Sequence, residues 1–311
     1  MHLLIRFFLF FAVLMSLAGC RVINLQRRMI VRKMNRNGVQ SSELNRNGFK
    51  INYWIGGQGP TVLFLHGFGG DALSTWQNEL LLMSKTHTVI APDLLWFGKS
   101  SYSGEANLTS QRKAIELLVD DLGIENITIV GQSYGGFVTL DFAKHHPEKI
   151  SKLIFANCPG HTFDAHHSDT ICKRFNISQI DELFVFEEPS KLQRLYDLAA
   201  HRSIQIPKQL LEQSYALYFS AFHKEKKALM RTLRDEQGHF DFSIRPSIPC
   251  FVVWSELDEL FNQQSGQQFA QKINANFHIL KGCGHAPQLD NRPLFTSKIS
   301  ELLNLKIGVE M

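Results

Sequence analysis

The chain has 311 residues, of which 44% are hydrophobic and 20% charged, and a formal net charge of +4. This length exceeds the usual single-domain size, so one large domain or a core with an insertion is expected. The ordinary composition excludes a disordered or fibrous chain, and so mild a positive balance gives no reason to expect a nucleic-acid partner.

In chain order, the first element is not part of the fold. "MHLLIRFFLFFAVLMSLAGC" has one cation, Arg6, then an apolar run from Phe7 to Ala18 and small residues before Cys20. That is the plan of a secretory signal peptide over 1–19, and the run is shorter than the ~20 residues of a membrane span. Leu17-Ala18-Gly19-Cys20 resembles a bacterial lipobox. The resemblance implies that Cys20 becomes the first mature residue and carries lipid, and that the protein is an exported, membrane-anchored lipoprotein. Arg21 is not the aspartate that marks inner-membrane retention in bacterial lipoproteins, which implies the outer membrane. Several acyl chains would hold durably where one binds marginally. Residues 20–48 read as a lipidated basic tether: Arg21, Arg27, Arg28, Arg32, Lys33 and Arg36 stand there without an acid up to Ser42. Such a segment is either a solvated linker or is drawn to anionic head groups.

From residue 49 strands and helices alternate. "FKINYWI" (49–55) reads as a strand ended by a Gly-rich turn. "TVLFLHG" (61–67) and "HTVIAPD" (87–93) are continuous apolar runs, as in strands covered on both faces. Further strands are expected at 126–131, 152–157, 250–254 and 276–280. Helices are expected at 71–85, at 109–123 with Thr109 as N-cap and Gly123 as stop, at 137–147 before Pro147, and at 297–307. The pattern predicts an α/β fold with a mostly parallel sheet flanked by helices. Its first part is 49–157 and its second part 246–311. Between them, 158–245 is richer in helix formers and aromatics and reads as a helical cap. Of Phe163, Phe175, Phe184, Phe186, Tyr196, Tyr215, Tyr218, Phe219 and Phe222, roughly a third are expected to face a substrate, since pockets are mainly apolar.

Of the five cysteines, Cys20 leaves Cys158, Cys172, Cys250 and Cys283. Four allow three full pairings in an exported protein, but the spacings form no framework and free thiols are the default expectation. There is no CxxC pair and no clean ligand spacing in "CPGHTFDAHHSD", so no metal site is expected, and no cofactor.

"ITIVGQSYGGFVTL" (127–140) is the most informative stretch. A strand hands over to a helix at Gly131-Gln132-Ser133-Tyr134-Gly135, the G-x-S-x-G spacing of a nucleophile elbow. The glycines let strand and helix approach, so Ser133 stands out at the sheet edge. A serine hydroxyl needs a base. Among thirteen histidines, His285 in "KGCGHAPQLDN" follows the strand 276–280 and emerges at the same edge. The base needs an acid. Asp258 follows the strand 250–254, with Glu256 as its rival; the alternative position after 152–157 holds Asn157, which carries no charge. Oxyanion donors are expected from the backbone N–H groups of Tyr134 and Phe68, with His66 ordering the second loop.

Together "LHGFGG", "PDLLWFGKS", "GQSYGG", "VVWSELDEL" and "GCGHAP" resemble the α/β-hydrolase-fold enzymes over roughly residues 49–305, and within them the lipobox-bearing lipases and esterases of Gram-negative bacteria. The resemblance implies a serine hydrolase of carboxylic esters, lipids or acyl esters, working through an acyl-enzyme with Ser133, His285 and Asp258. Trp96 departs from the glycine usual at its place, and Pro293 lies one residue late; both bear on pocket shape. Carbon–carbon bond hydrolases and cofactor-free haloperoxidases share the constellation and stand as alternatives. Dehalogenases and epoxide hydrolases use aspartate where Ser133 stands. A non-catalytic ligand-binding lipoprotein is the alternative of another class.

Overall fold

A computed structural model describes residues 22–235, 244 and 247–304 of the chain. The signal peptide expected over 1–19 and the lipidation site Cys20 lie outside the described residues, as does most of the stretch that closes the cap near 245.

The apolar runs pair as their burial demands. Nine strands among the described residues form one sheet: β1 (Val39–Arg46), β2 (Phe49–Gly56), β3 (Thr61–Leu65), β4 (Thr88–Pro92), β5 (Ser101–Tyr102), β6 (Ile127–Gln132), β7 (Ile150–Ala156), β8 (Cys250–Ser255) and β9 (Asn276–Leu280). Their order is β1-β2-β4-β3-β6-β7-β8-β9, with β5 paired to β2. From β4 to β9 all neighbours are parallel; the antiparallel pairs are those that β2 makes with β1, β4 and β5. The expected mostly parallel sheet flanked by helices is thus present. Parallel pairing puts the C-terminal ends of β3, β6, β7, β8 and β9 on one edge, where ligands bind in such folds.

Eleven α-helices among the described residues accompany the sheet: α1 (Val22–Arg36), α2 (Ala72–Met83), α3 (Leu108–Asp121), α4 (Tyr134–His145), α5 (Ala165–Phe175), α6 (Asp181–Phe184), α7 (Leu192–Ala199), α8 (Lys208–Ser214), α9 (His223–Asp235), α10 (Gln263–Lys272) and α11 (Pro287–Leu302). One core, with Met34, Trp76 and Phe295, lies between the sheet and α1, α2 and α11; the other, with Leu118, Phe137 and Phe269, lies under α3, α4 and α10. Fully burying one such apolar side chain contributes about 1.5–3 kcal/mol. Helices α5 to α9 all fall between β7 and β8 and pack over the sheet's C-terminal edge.

Four sequence expectations change, the smallest being the N-cap of α3, which is Asn107 and not Thr109. The tether over 20–48 is, from Val22, a helix and a strand: α1 buries Met34 in the core, and β1 pairs along all of β2 through a turn at Asn47-Gly48. A basic helix with a narrow apolar stripe reads as a linker until a groove exists to take the stripe. The last helix starts at Pro287, not 297. Pro287 suits its first turn, and a break at Asn291 (φ −147°, ψ 74°) accommodates Pro293. Trp96 and Pro293 do not line the cavity beside Ser133. Trp96 instead takes the left-handed conformation (φ +66°) that glycine would hold with less strain, with its ring buried and its indole N–H donating to Tyr102 O at 3.3 Å. No described helix is long and apolar enough to cross a membrane.

Candidate active site

Ser133 ends β6 and opens α4 with φ +48° and ψ −116°. Such strain at a non-glycine residue persists only where the surroundings over-determine it. Here they do. A Cβ on Gly131 would lie 2.3 Å from Thr139 Oγ1, and one on Gly135 would lie 2.3 Å from Leu65 O. With both glycines in place, β6 and α4 close tightly and Ser133 N–H donates to Ala156 O at 2.8 Å.

The loop after β9 brings His285 to this point. Ser133 Oγ lies 2.9 Å from His285 Nε2, and His285 Nδ1 lies 2.8 Å from Asp258 Oδ2. The structure therefore brings Ser133, His285 and Asp258 into one hydrogen-bonded line. The arrangement requires a neutral imidazole with Nδ1–H donating to the carboxylate and Nε2 accepting from the hydroxyl. Asp258 is completely buried, and four N–H donors surround it. Its Oδ1 accepts from Leu260 N and Phe261 N, each at 2.9 Å; its Oδ2 accepts from Asn157 Nδ2 at 2.9 Å as well as from His285. These four donors fix the carboxylate's position and orientation against the imidazole. Glu256, the rival, faces away and accepts from Gly282 N–H at 3.0 Å.

The loop after β3 lies against the elbow: a Cβ on Gly67 would stand 3.3 Å from Ser133 Cβ. Phe68 N–H makes no hydrogen bond among the described residues, and Tyr134 N–H heads α4 directly after Ser133. These remain the two N–H groups expected to receive an oxyanion formed at Ser133. His66 is fully buried and orders this loop: Nδ1 pairs with Gly67 O at 2.8 Å and Nε2 accepts from Leu94 N–H at 3.0 Å. Burial pushes its pKa down to about 4, so it stays neutral and does not exchange protons near neutrality.

Beneath the cap, next to Ser133, opens a solvent-connected cavity of about 200 Å³. Leu192, Leu195, Leu198 and Phe219 form its cap wall; Thr75, Gln288 and Arg292 are among the polar residues on its core side. Phe184, Tyr196, Tyr218 and Phe219 line it, whereas Phe186 and Tyr215 stack within the cap's own core. A smaller apolar recess walled by Phe137, Phe163 and Phe261 lies on the other side of Ser133. Among the described residues no group of three His, Cys, Asp or Glu side chains could hold a metal. The cysteines 158, 172, 250 and 283 are free thiols, and burial raises Cys158 and Cys250 to about 12. They remain protonated and poor nucleophiles.

Three supports escape sequence reasoning. Asn157, considered only as a failed acid, clamps Asp258 and itself accepts from Ser255 Oγ at 3.3 Å. Gln132 and Gln288 exchange two hydrogen bonds, 3.0 and 2.7 Å, tying the elbow to the helix after His285. Arg27 of α1 pairs with Asp71 at 2.6 Å, just past the Phe68 loop. Only Asn157 left a trace in the sequence, as an Asn at a strand end, a residue that tolerates the left-handed φ of +49° found there.

Comparison with known proteins agrees with this fold. The family model described as alpha/beta hydrolase fold matches residues 60–292. A 2-hydroxymuconate semialdehyde hydrolase of Pseudomonas sp. (strain CF600) is 28% identical over 275 residues, 84% of this chain and 93% of its own. Two solved structures are similar in fold at 20% identity. One is a membrane phospholipase A, a bacterial virulence factor, with a TM-score of 0.73, covering 96% of this chain and 98% of its own. The other is a thermophilic esterase of Thermogutta terrifontis, with a TM-score of 0.69, covering 85% and 98%.

Proposed function

Because the chain belongs to the alpha/beta hydrolase fold family, we propose that this hydrolase cleaves carboxylic esters through an acyl-enzyme. The observation that carries the reading is Ser133 Oγ at 2.9 Å from His285 Nε2, at the floor of a cavity whose cap wall is leucine and phenylalanine. Ser133 Oγ attacks the ester carbonyl while His285 Nε2 takes its proton. Asp258 keeps Nδ1–H in place and stabilises the imidazolium. The N–H groups of Phe68 and Tyr134 hold the oxyanion. His285 then protonates the leaving alcohol, and a water activated by the same nitrogen hydrolyses the acyl-Ser133 ester, releasing the acid and restoring the hydroxyl. The apolar cap wall suits an acyl or alkyl chain.

A second reading rests on a different observation. The relative from Pseudomonas sp. aligns along 84% of this chain, and its name assigns it a semialdehyde hydrolase activity. The same Ser133, His285 and Asp258 could serve cleavage of a carbon–carbon bond next to a ketone. The two solved structures, at 20% identity, support only the fold. A binding-only role is disfavoured because a pure binder has no use for an aligned serine, histidine and buried carboxylate together.

The deciding experiment measures kcat/KM of the protein without residues 1–20 on p-nitrophenyl esters of graded acyl length and on a 2-hydroxy-6-oxo-dienoate ring-cleavage product. Ester turnover exceeding dienoate turnover, with labelling of Ser133 by a fluorophosphonate probe, supports the ester reading. The reverse order gives the reaction to the second reading, and probe labelling that persists in Ser133→Ala removes Ser133 from both. The proposed location is the outer membrane, with a lipidated Cys20 holding the protein at the bilayer surface. Metabolic palmitate labelling lost in Cys20→Ser is the expected outcome; a wild-type protein found wholly soluble refutes the anchor.

A further inference from the structure

The large cavity holds an unused charge. Arg292 is the one lysine or arginine among its lining residues, and no aspartate or glutamate lines it. The Nη1 of Arg292 is buried without a hydrogen-bond partner, and its guanidinium enters none of the ion pairs among the described residues. Buried donors are almost always paired, so an unpaired one marks a place where a ligand or an ordered water is due.

The fold puts it there by a specific device. The helix that begins just after His285 breaks at Asn291, and Asn291 Oδ1 accepts from Leu294 N–H at 3.1 Å, capping the second segment. Arg292 is therefore the first residue of a new helical segment, on the same cavity wall as Gln288. The Glu79 carboxyl, near enough to feel the charge of Arg292, does not hydrogen-bond it. Glu79 is fully buried on α2, takes the Thr296 hydroxyl on one oxygen and leaves the other unpartnered. Burial raises its pKa toward the neutral form, against the pull of Arg292. No hydrogen bond or ion pair among the described residues joins Glu79 to the Arg292 guanidinium, so Nη1 is left for another partner.

We propose that Arg292 is the anion subsite of this cavity, and that the preferred substrates are amphiphiles: an apolar chain against the cap leucines and a phosphate or carboxylate at Arg292. The inference rests on the hydrolase reading for the word substrate, but the subsite itself is a matter of binding. Arginine fits either anion because its planar fork presents two parallel N–H donors. The opposite cap wall, Leu192, Leu195 and Leu198, offers an anion nothing, so the polarity of the cavity orients the ligand.

The test is isothermal titration of the wild-type protein with octyl phosphate, octanoate, octanol and inorganic phosphate, repeated with Arg292→Gln and Arg292→Lys. Expected is an affinity for octyl phosphate or octanoate about tenfold or more above that for octanol, since a charge-assisted pair is lost with the alcohol. Arg292→Gln should remove most of that preference, and Arg292→Lys should keep part of it. Equal affinity for octanol and both anions overturns the proposal. So does a preference that survives Arg292→Gln, which would place the anion at Phe68 and Tyr134 instead. Inorganic phosphate binding as tightly as octyl phosphate would assign the subsite to a free anion and overturn the amphiphile. Should Arg292→Gln fail to fold, an anion preference undiminished in Arg292→Lys is the refuting result. Hydrolysis of neutral p-nitrophenyl butyrate by the wild type is read alongside: its absence with anion binding intact faults the catalytic reading and leaves the subsite standing.

Discussion

Arg27 Nη2 lies 2.6 Å from Asp71 Oδ2, and this pair ties the first helix to the loop that carries Phe68. Asp71 also caps α2, accepting from Ser74 N–H at 2.8 Å. Burial opposes the guanidinium charge, but Asp71 and Tyr218 more than offset that, and the pKa is raised. Because Asp71 is only 2% exposed, Arg27→Gln should leave a buried carboxylate unpaired and lower unfolding stability by about 3 kcal/mol. Urea unfolding near neutral pH checks this; a loss under about 0.5 kcal/mol would mean the pair behaves as a surface ion pair.

His66 predicts acid sensitivity. Its folded pKa of about 4 lies below the ordinary 6.5. Between those values the unfolded chain binds a proton that the folded chain does not, so stability rises with pH across this window and is lost as pH falls through it. The full contribution is about 3 kcal/mol. His66→Asn should flatten the stability profile between about pH 4 and 6.5, while costing stability above it through the lost bond from Leu94 N–H. A variant profile parallel to wild type across that window would show that other groups set the acid limb.

Asn157→Ala removes one of the four donors on Asp258. The expected result is a fall in kcat of about tenfold with little change in KM, because Asn157 positions the carboxylate and does not line the cavity. A change confined to KM would contradict that role. Asp258→Asn should be far more damaging, and more so than Glu256→Gln, since Glu256 meets only Gly282 N–H at the surface.

Gly135→Ala tests the packing of the elbow. The added Cβ would lie 2.3 Å from Leu65 O and 2.6 Å from His66 O, both backbone atoms that cannot swing away. Overpacking of this kind costs about 1–3 kcal/mol or more, and here it also displaces the loop bearing Phe68. Both the melting temperature and kcat should fall. A variant with wild-type melting temperature would show that strand and helix have slack.

The sequence by itself determined the parts that are local. Continuous apolar runs can only be strands covered on both faces, and the Gly131-to-Gly135 spacing can only serve a tight strand-to-helix turn. Ser133, Asp258 and His285 were legible because each follows a strand, and parallel pairing sends all such loops to one edge. Tertiary structure alone decided what depends on partners distant in the chain. Helix α1 looked like a tether because its stripe around Met34 is narrow, and only the groove beside Trp76 gives that stripe a place to be buried. Glu256 and Asp258 are two residues apart and chemically alike; the turn after β8 faces one toward His285 and the other toward Gly282. Nothing in the sequence singles out Arg292. The break at Asn291 starts a new helical segment that sets Arg292 on the cavity wall with Nη1 unpartnered, because the direction of a side chain is set by packing, not by composition.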